Sequence, residues 1–525
     1  MTETAPAPLR LASGAGRGAL LATILASGMT FLDATIVNVA LPHLGPELGA
    51  TTAGLQWTVN GYALTLAAFV LLGGALGDGF GRRKVFLLGV LWFTVASVLC
   101  GLAQNIEWLI AARIFQGAGG ALLTPGSLAL LQASFHPEDR GKAIGLWSGL
   151  AGVSTAIGPF IGGWLIDALS WRWIFLMNVP LAVVVVLAAL RWVPESRRGP
   201  ADETAPAAAA APADADTAPA GRGGGRPGGA RRPRFDVAGA ILGALGLAGI
   251  TYALSAATDH GFGSWTVVTA AVVAVLAIVS FVIVERRRGE NAMLPLSLFS
   301  SGLFSALNIY TLAVYAALGG LTFFLAIQLQ TVAGYSAFAT GISMLPLTIL
   351  LLIGSPRAGA LATRIGPRVP LTIGPLVAAA GFLLLRGIGP NAFYWTDVFP
   401  GVLLFGLGMT LVVAPLTASV LSAVEDRYAG VASGVNNAAA RAGGLLAVAA
   451  LPLLVGLTGR AYEVPDQLAA AFRSAMLWCA GLMVAGGLLG AFLIHKPRRR
   501  GGPPAHPCPS LPPPSYAEYE RSRAR

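Results

Sequence analysis

Two ionisable side chains inside long apolar segments are the groups of this sequence best suited to moving a proton. Asp33 lies in the apolar run 18–40, and Arg113 lies in the apolar run 108–131. If both runs are membrane helices, a rise of 1.5 Å per residue places each side chain about 8–10 Å below the same membrane face. A buried carboxyl group resists ionisation, whereas a nearby guanidinium favours it. The pair could therefore bind and release a proton, or it could be a static ion pair that holds two helices together.

A glycine-rich segment that ends in basic residues is a second candidate site, and its residues are suited to forming a gate. The segment reads GALGDGFGRRK and begins at Gly74. Glycines such as Gly74 and Gly81 allow a sharp turn, and Asp78 can accept hydrogen bonds at a helix N-terminus. Arg82 and Arg83 could bridge to another part of the molecule. Simple anchoring at a membrane surface would explain the basic residues, but not the glycine spacing or the acid.

Gly158 and Pro159 belong to a stripe of small residues that runs from about 145 to 163. Glycines four residues apart let two helices approach closely in lipid, and a proline inside a helix favours a kink. The dense combination predicts a helix that bends at a seam between two parts of the molecule. An ordinary packing face is the alternative interpretation.

A third group of side chains is predicted to line a central substrate cavity because its members are polar or aromatic and lie within apolar runs. Arg441 is the deepest charge, about 17 Å from the start of its run at the helical rise, and it could instead be bonded to backbone carbonyls. The full set is Asn38, Gln116, Tyr310, Phe323, Asn436, Asn437 and Arg441.

The elements that must position these residues are membrane helices. The chain has 525 residues, of which 55% are hydrophobic and only 11% are charged, less than half of the roughly 25% charged residues in soluble proteins. This composition excludes a soluble enzyme, a fibrous protein and a mostly disordered chain. Fourteen apolar runs approach the length of about 20 residues that a bilayer requires. The fold class is therefore predicted as an all-α integral membrane protein.

The distribution of basic residues predicts the orientation. With the N-terminus in the cytoplasm, 29 of the 35 Lys and Arg residues fall on the cytoplasmic side, as the positive-inside rule requires. The even number of runs places both termini on that side. The net charge of +11 is thus explained by topology, and no nucleic-acid partner is expected.

An internal repeat predicts two related halves. The spacing of Gly74, Gly81 and Arg83 recurs at Gly359, Gly366 and Arg368, and repeated halves around a central site are typical of transporters. The predicted organisation is a cytoplasmic N-terminus (1–17), an N-terminal six-helix bundle (18–193), a disordered linker (194–236), two extra helices (237–284), a cytoplasmic loop (285–301), a C-terminal six-helix bundle (302–494) and a disordered tail (495–525).

Several other kinds of site are not expected. Cys100, Cys479 and Cys508 are too far apart to indicate a disulfide framework or a metal site, and no metal or cofactor is predicted. The sequence lacks a Walker-type phosphate loop, which argues against an ATP-driven pump. The segment PPSY in the tail resembles a WW-domain ligand, but chance is the better explanation in a tail this rich in proline.

Taken together, these motifs resemble those of the major facilitator superfamily, and in particular its fourteen-span drug:proton antiporter family, from about residue 18 to 494. The matching segments are LDATIVNVALP from Leu32, the glycine-rich segment from Gly74, RIFQG from Arg113, GPFIGG from Gly158 and WRWIF from Trp171. The resemblance implies a major facilitator fold of 14 transmembrane helices, arranged as two six-helix bundles plus two inserted helices. It also implies proton coupling by Arg113 and an association of the Gly158 motif with exporters.

The function predicted from the sequence is a proton-coupled antiporter that exports drugs, antibiotics or other amphipathic toxic compounds by alternating access. In this interpretation Asp33 and Arg113 form the proton site, the Gly74 segment latches the cytoplasmic gate, and Gly158 and Pro159 permit bending. The expected partners are the substrate, protons and membrane lipid, with the protein acting as a monomer in the cytoplasmic membrane. The alternatives are a dedicated exporter of an endogenous metabolite, and an uncoupled channel or sensor.

Overall fold

The computed structural model describes residues 8–195, 237–289, 294–425 and 428–494. In these ranges the regular structure is helical, apart from one isolated β-bridge between Leu9 and Phe135. Almost all of the predicted linker and the whole predicted tail, with its PPSY segment, lie outside the described residues.

Sixteen α-helices follow one another along the described part of the chain. The first half contains α1 (Gly14–Leu48), α2 (Thr52–Phe80), α3 (Arg82–Gly101), α4 (Ile106–Ser134), α5 (Pro137–Ala168), α6 (Trp173–Leu176) and α7 (Asn178–Trp192). The inserted hairpin consists of α8 (Val237–His260) and α9 (Trp265–Arg288). The second half contains α10 (Gly302–Ile327), α11 (Ala337–Ser343), α12 (Leu345–Ile365), α13 (Arg368–Leu385), α14 (Phe399–Ser422), α15 (Ala429–Leu454) and α16 (Pro465–Leu493).

Polar caps determine where several of these helices begin. Ser13 accepts a hydrogen bond from the amide of Gly16 and starts α1 four residues before the predicted boundary at 18. Thr51, Asn105 and Ser301 cap α2, α4 and α10 in the same way. Such caps satisfy amide groups that the first helical turn leaves without a partner.

Twelve helical segments in the described residues are long and apolar enough to cross a membrane. The chain is therefore a multi-pass membrane protein. The two remaining long helices pack against helices of the first half, α2 against α4 and α5 against α1. Helical segments thus occupy all of the apolar runs on which the sequence prediction was based.

The repeated glycines adopt the same unusual backbone conformation. Gly81 joins α2 to α3 with φ 111°, and Gly366 joins α12 to α13 with φ 90°. Because side chains other than glycine rarely adopt such positive φ values, the spacing of the repeat is explained by two equivalent tight turns.

The two halves meet at one end of the bundle, which we call the closed end: the end at which α1 and α10 finish. There one continuous apolar cluster combines first-half residues such as Ile36 and Leu44 with second-half residues such as Phe324 and Leu329. At the opposite end, a separate buried cluster consists of first-half residues only, among the described residues. Buried apolar residues of both halves therefore meet at the closed end.

Candidate functional site

Asp33 and Arg113 form an ion pair in the interior of the first half. Asp33 projects from α1 and Arg113 from α4, and each is only 1% exposed. Arg113 Nη1 donates to Asp33 Oδ2. The other carboxylate oxygen, Oδ1, accepts a hydrogen bond of 2.9 Å from Gln116 Nε2. Both oxygens of a fully buried acid are therefore paired, as buried charges require.

A wider polar network holds this pair in place. Gln116 Oε1 accepts a bond of 2.7 Å from Arg113 Nη1, and Gln116 Nε2 also donates to Ser97 Oγ at 3.1 Å. Asn178 of α7 donates to the same Ser97 hydroxyl at 2.8 Å. The network thus connects four helices of the first half, and it restricts the side-chain positions of both charged groups.

Arg113 has further partners that do not depend on Asp33. Its Nε donates to the backbone oxygen of Thr58 at 3.0 Å, and its guanidinium lies 4.2 Å from the centroid of the Tyr62 ring. Contacts between a cation and an aromatic face are favourable when they are desolvated. If Asp33 gained a proton, Arg113 would still have the Thr58 carbonyl, Gln116 and the Tyr62 face as partners.

Tyr62 of α2 also belongs to this site. It is 2% exposed, and its hydroxyl donates to the backbone oxygen of Thr30 in α1 at 3.2 Å. Tyr62 was missed by the sequence analysis. Its position one helical turn from Thr58, whose carbonyl binds Arg113, could be recognised only once α2 and α4 were known to pack together.

Arg83 of the gate segment binds to the end of its own half in this conformation. Arg83 Nη1 donates to the backbone oxygen of Val193 at 3.0 Å, and the Arg83 amide donates to Glu195 Oε1 at 3.1 Å. Gly81 lies beside the same carboxylate, where a Cβ would stand 2.8 Å from Glu195 Oε1. Gly74 and Arg82 belong to α2 and α3, respectively, and the side chain of Asp78 lies outside the described structure. Arg83 therefore anchors the turn to the end of α7.

The Gly158 and Pro159 segment lies on the seam between the halves. A Cβ at Gly163 would come within 2.4 Å of the backbone oxygen of Ala337, and a Cβ at Gly341 would come within 2.1 Å of that of Pro159. On the other face of α5, a Cβ at Gly158 would meet Thr35 Oγ1 at 2.3 Å. The glycines thus allow α5 to pack backbone to backbone against α11.

The predicted cavity residues divide into two groups. Three of them are not on an accessible surface in this conformation: Gln116 belongs to the ion-pair network, Tyr310 is 0% exposed and bonds to the backbone oxygen of Leu371, and Phe323 is 0% exposed beside Phe324. The reason is that apolar surroundings in the sequence do not show which face of a helix meets open space. The other four retain some exposure: Asn38, Asn436, Asn437 and Arg441.

Asp167, which the sequence analysis did not single out, joins the halves at the closed end. Its carboxylate accepts hydrogen bonds from the backbone amides of Ala337 at 3.1 Å and Phe338 at 2.9 Å, at the start of α11. Nearby, Gln330 Nε2 donates to the backbone oxygen of Val39 at 2.9 Å. Asp167, Gln330 and Ala337 border a cleft of about 300 Å³ that also includes His43.

Two loop contacts reinforce the closed end. Thr52 donates to the backbone oxygen of Gly459 through its amide at 2.6 Å and its hydroxyl at 2.9 Å. The hydroxyl of Tyr462 donates to the backbone oxygen of Ala50 at 2.6 Å. Burial, assisted by the charge of Glu463, raises the pKa of Tyr462, so the phenol remains a donor.

Comparisons with known proteins agree with this architecture. The model of the Major Facilitator Superfamily matches residues 23–307 and 234–448. The tetracenomycin C resistance and export protein of Streptomyces glaucescens is 34% identical over 460 residues, which cover 86% of this chain and 78% of that protein. The multidrug resistance protein Stp of Mycobacterium tuberculosis (strain ATCC 25618 / H37Rv) is 34% identical over 434 residues, covering 82% of this chain and 74% of that protein.

Solved structures share the fold at low sequence identity. A bacterial homologue of the human lysosomal transporter Spinster, in an inward-facing and unoccupied conformation, has a TM-score of 0.61 at 17% identity and covers 91% of this chain and 97% of its own. The peptide transporter POT has a TM-score of 0.62 at 13% identity, with coverages of 92% and 95%. The prediction that this chain is a transporter and not an enzyme is confirmed.

Proposed function

Because the chain belongs to the Major Facilitator Superfamily, we propose that it exports small amphipathic compounds, such as antibiotics, from the cell in exchange for protons. The export part of this proposal is supported by relatives that are named as resistance and export proteins. The observation that carries the proton coupling is the fully buried ion pair of Asp33 and Arg113.

Asp33 is the proton acceptor in this proposal. An ionised carboxylate at this depth is stable only while Arg113 and Gln116 bind it. Protonation would remove the negative charge and weaken the bond to Arg113, which keeps the Thr58 carbonyl and the Tyr62 ring as partners. Movement of the guanidinium is then the step that links proton binding to the packing of α1, α2 and α4.

The substrate is proposed to bind between the halves, where Asn38, Asn436, Asn437 and Arg441 retain exposure. Arg441 belongs to α15 of the second half and Asn38 to α1 of the first, so a ligand bound between them would contact both halves. Binding at this position would link substrate occupancy to the relative positions of the two halves.

Alternating access is proposed to occur across the seam of α5 and α11. With both termini in the cytoplasm, as the basic residues indicate, the closed end is the outer face and the conformation is inward-facing. In this proposal all fourteen apolar runs cross the cytoplasmic membrane, as in the drug:proton antiporter family that the motifs resemble, and the monomer is the transporting unit.

The decisive experiment is transport by purified protein in liposomes under an imposed pH gradient, with an antibiotic or a cationic dye as the probe. Wild-type protein should concentrate the probe against its gradient, whereas Asp33→Asn should only equilibrate it, because an amide cannot take up the proton. Asp466→Asn, at an exposed acid in the first turn of α16, should behave as wild type. Concentration of the probe by Asp33→Asn would refute the proton site, and failure of wild type to exceed equilibrium would indicate a channel.

A dedicated metabolite exporter is the second candidate. It is favoured by a relative of Streptomyces coelicolor (strain ATCC BAA-471 / A3(2) / M145) that is named a probable actinorhodin transporter and is 33% identical over 475 residues. A deletion strain separates the two functions. If the deletion strain keeps its resistance to dyes and antibiotics but accumulates an internal metabolite, the protein is a dedicated metabolite exporter.

A further inference from the structure

The inserted helix α8 contacts both halves of the molecule. It packs against α2 of the first half and α15 of the second. Its alanines, among them Ala253 and Ala257, form a small apolar cluster that Leu453 of α15 joins. The hairpin is therefore part of the seam between the halves and not an appendage on one of them.

Two contacts fix how α2 and α8 are aligned. Thr51 Oγ1 donates to Asp259 Oδ2 at 2.7 Å, and the rings of Trp57 and Tyr252 lie 5.7 Å apart. The two helices run in opposite directions, so each step forward along α2 corresponds to a step backward along α8. This alignment brings Gln56 to within about two residues of the level of Ser255, and Asn60 to within about two residues of the level of Thr251.

These four side chains are buried and carry polar atoms that have no hydrogen-bond partner within the part of the chain that the structure describes. Gln56, Thr251 and Ser255 are 0% exposed and Asn60 is 1% exposed. The atoms without a partner are both amide atoms of Gln56, Asn60 Oδ1, Thr251 Oγ1 and Ser255 Oγ. A buried polar atom of this kind destabilises a protein if it stays unsatisfied.

The hydroxyls of Thr251 and Ser255 in α8 differ from most other buried hydroxyls of the described residues. Thr58, Thr65 and Ser127 each donate to the carbonyl oxygen four residues earlier in their own helix. Thr251 and Ser255 make no such bond. Their hydroxyls are available to a ligand between α2 and α8, as are the amide atoms of Gln56.

We propose that α2, α8 and α15 enclose an internal water site in which one or two water molecules bridge Gln56 and Asn60 to Thr251 and Ser255. Buried water typically makes two to four hydrogen bonds, and it can both donate to the oxygens of this set and accept from Gln56 Nε2. A bare cation fits less well because it would face that N–H donor. Asn60 Nδ2 also donates to the backbone oxygen of Leu445 at 3.5 Å, which extends the site to α15.

The water site gives the inserted hairpin a role at the seam. Bonds through water are nearly as favourable as direct bonds, and water can change partners when the surrounding helices shift. Helix α8 would therefore stay attached to both halves while they move relative to each other.

Radiolytic hydroxyl-radical labelling with mass spectrometry tests this inference, because bound water generates radicals beside buried side chains. The protein is used in lipid nanodiscs, and Trp57 and Tyr252 are the reporters. Trp92 of α3 and Phe115 of α4, whose rings also contact each other, are the comparison pair away from the site. Labelling of the reporters should exceed that of the comparison pair several-fold; equal labelling would overturn the inference.

Variants then locate the water. Gln56→Leu combined with Asn60→Leu should reduce reporter labelling to the level of the comparison pair. Thr258→Val should leave reporter labelling unchanged, since the Thr258 hydroxyl already donates to the backbone oxygen of Ser255 at 2.6 Å.

A second set of variants applies if the double leucine variant does not fold. Thr251→Val combined with Ser255→Ala should reduce reporter labelling about twofold, whereas Thr251→Ser should not reduce it. Labelling that none of these variants reduces would overturn the water site. Labelling that disappears when choline replaces sodium would also overturn it, because the ligand would then be a sodium ion.

Discussion

Asp167→Asn should open the closed end of the bundle. The carboxylate of Asp167 accepts two backbone amides of the opposite half, at 3.1 and 2.9 Å, and asparagine would keep one oxygen acceptor but lose the charge and one bond. A hydrogen bond to a charged group contributes about 1.5–3 kcal/mol. Since Asp167 is exposed and water screens its charge, we take about 1–1.5 kcal/mol as the loss. The ratio of open to closed molecules should therefore rise roughly five- to twelvefold.

Double electron–electron resonance between two nitroxide labels measures this ratio. Leu169→Cys and Leu454→Cys place the labels at exposed positions on opposite halves near the closed end, and Cys508→Ser removes the cysteine of the tail. Asp397→Asn is the matched control, because the Asp397 carboxylate bonds to the amide of Phe393 within the second half at 2.7 Å. An unchanged distance distribution in Asp167→Asn, or an equal shift in Asp397→Asn, would refute the reasoning.

Three further predictions concern the seam and the ion pair. Gly163→Ala should reduce transport strongly, because its Cβ would lie 2.4 Å from the Ala337 oxygen; Gly481→Ala, with open space around it, should not. Arg113→Lys should abolish coupled transport in the liposome assay, because an ammonium cannot bind Asp33, Gln116 and the Thr58 oxygen together; retained coupling would contradict the assigned role. Tyr462→Phe should raise the open fraction in the resonance assay about fivefold, at a loss of about 1 kcal/mol. Because the pKa of Tyr462 is raised, the wild-type contact should not weaken up to about pH 10; weakening below that pH would contradict this contact.

The sequence indicated how deep the charged residues lie in the membrane, but it did not indicate all of the side chains that contact them. Matching the positions of Asp33 and Arg113 along their helices was enough to suggest a pair, because the helical rise is constant. Gln116 was assigned to the cavity, although its spacing of three residues from Arg113 places both on one helix face. That spacing was the available signal for its place in the network. Ser97 and Asn178 gave no comparable signal, since their role depends on how α3 and α7 pack.

The sequence motifs likewise predicted some contacts between helices and missed others. The glycines of the Gly158 segment indicated close packing, and the structure identifies α11 as the partner on one face and α1 on the other. Asp167 lies only a few residues beyond that motif but resembles any acid at a helix end. Its importance comes from the amides of Ala337 and Phe338, which are 170 and 171 residues away along the chain.

The sequence by itself determined that the protein is embedded in a lipid bilayer and that its chain forms long apolar helices. It also showed which charged side chains need a partner, because burying them in the membrane is costly. These properties follow from local composition, because burial and helical periodicity act over one helix at a time. Only the tertiary structure decided which end of the bundle is closed and that α8 bridges the halves. Those features depend on contacts between segments hundreds of residues apart, and no local pattern specifies which of many similar apolar faces will meet.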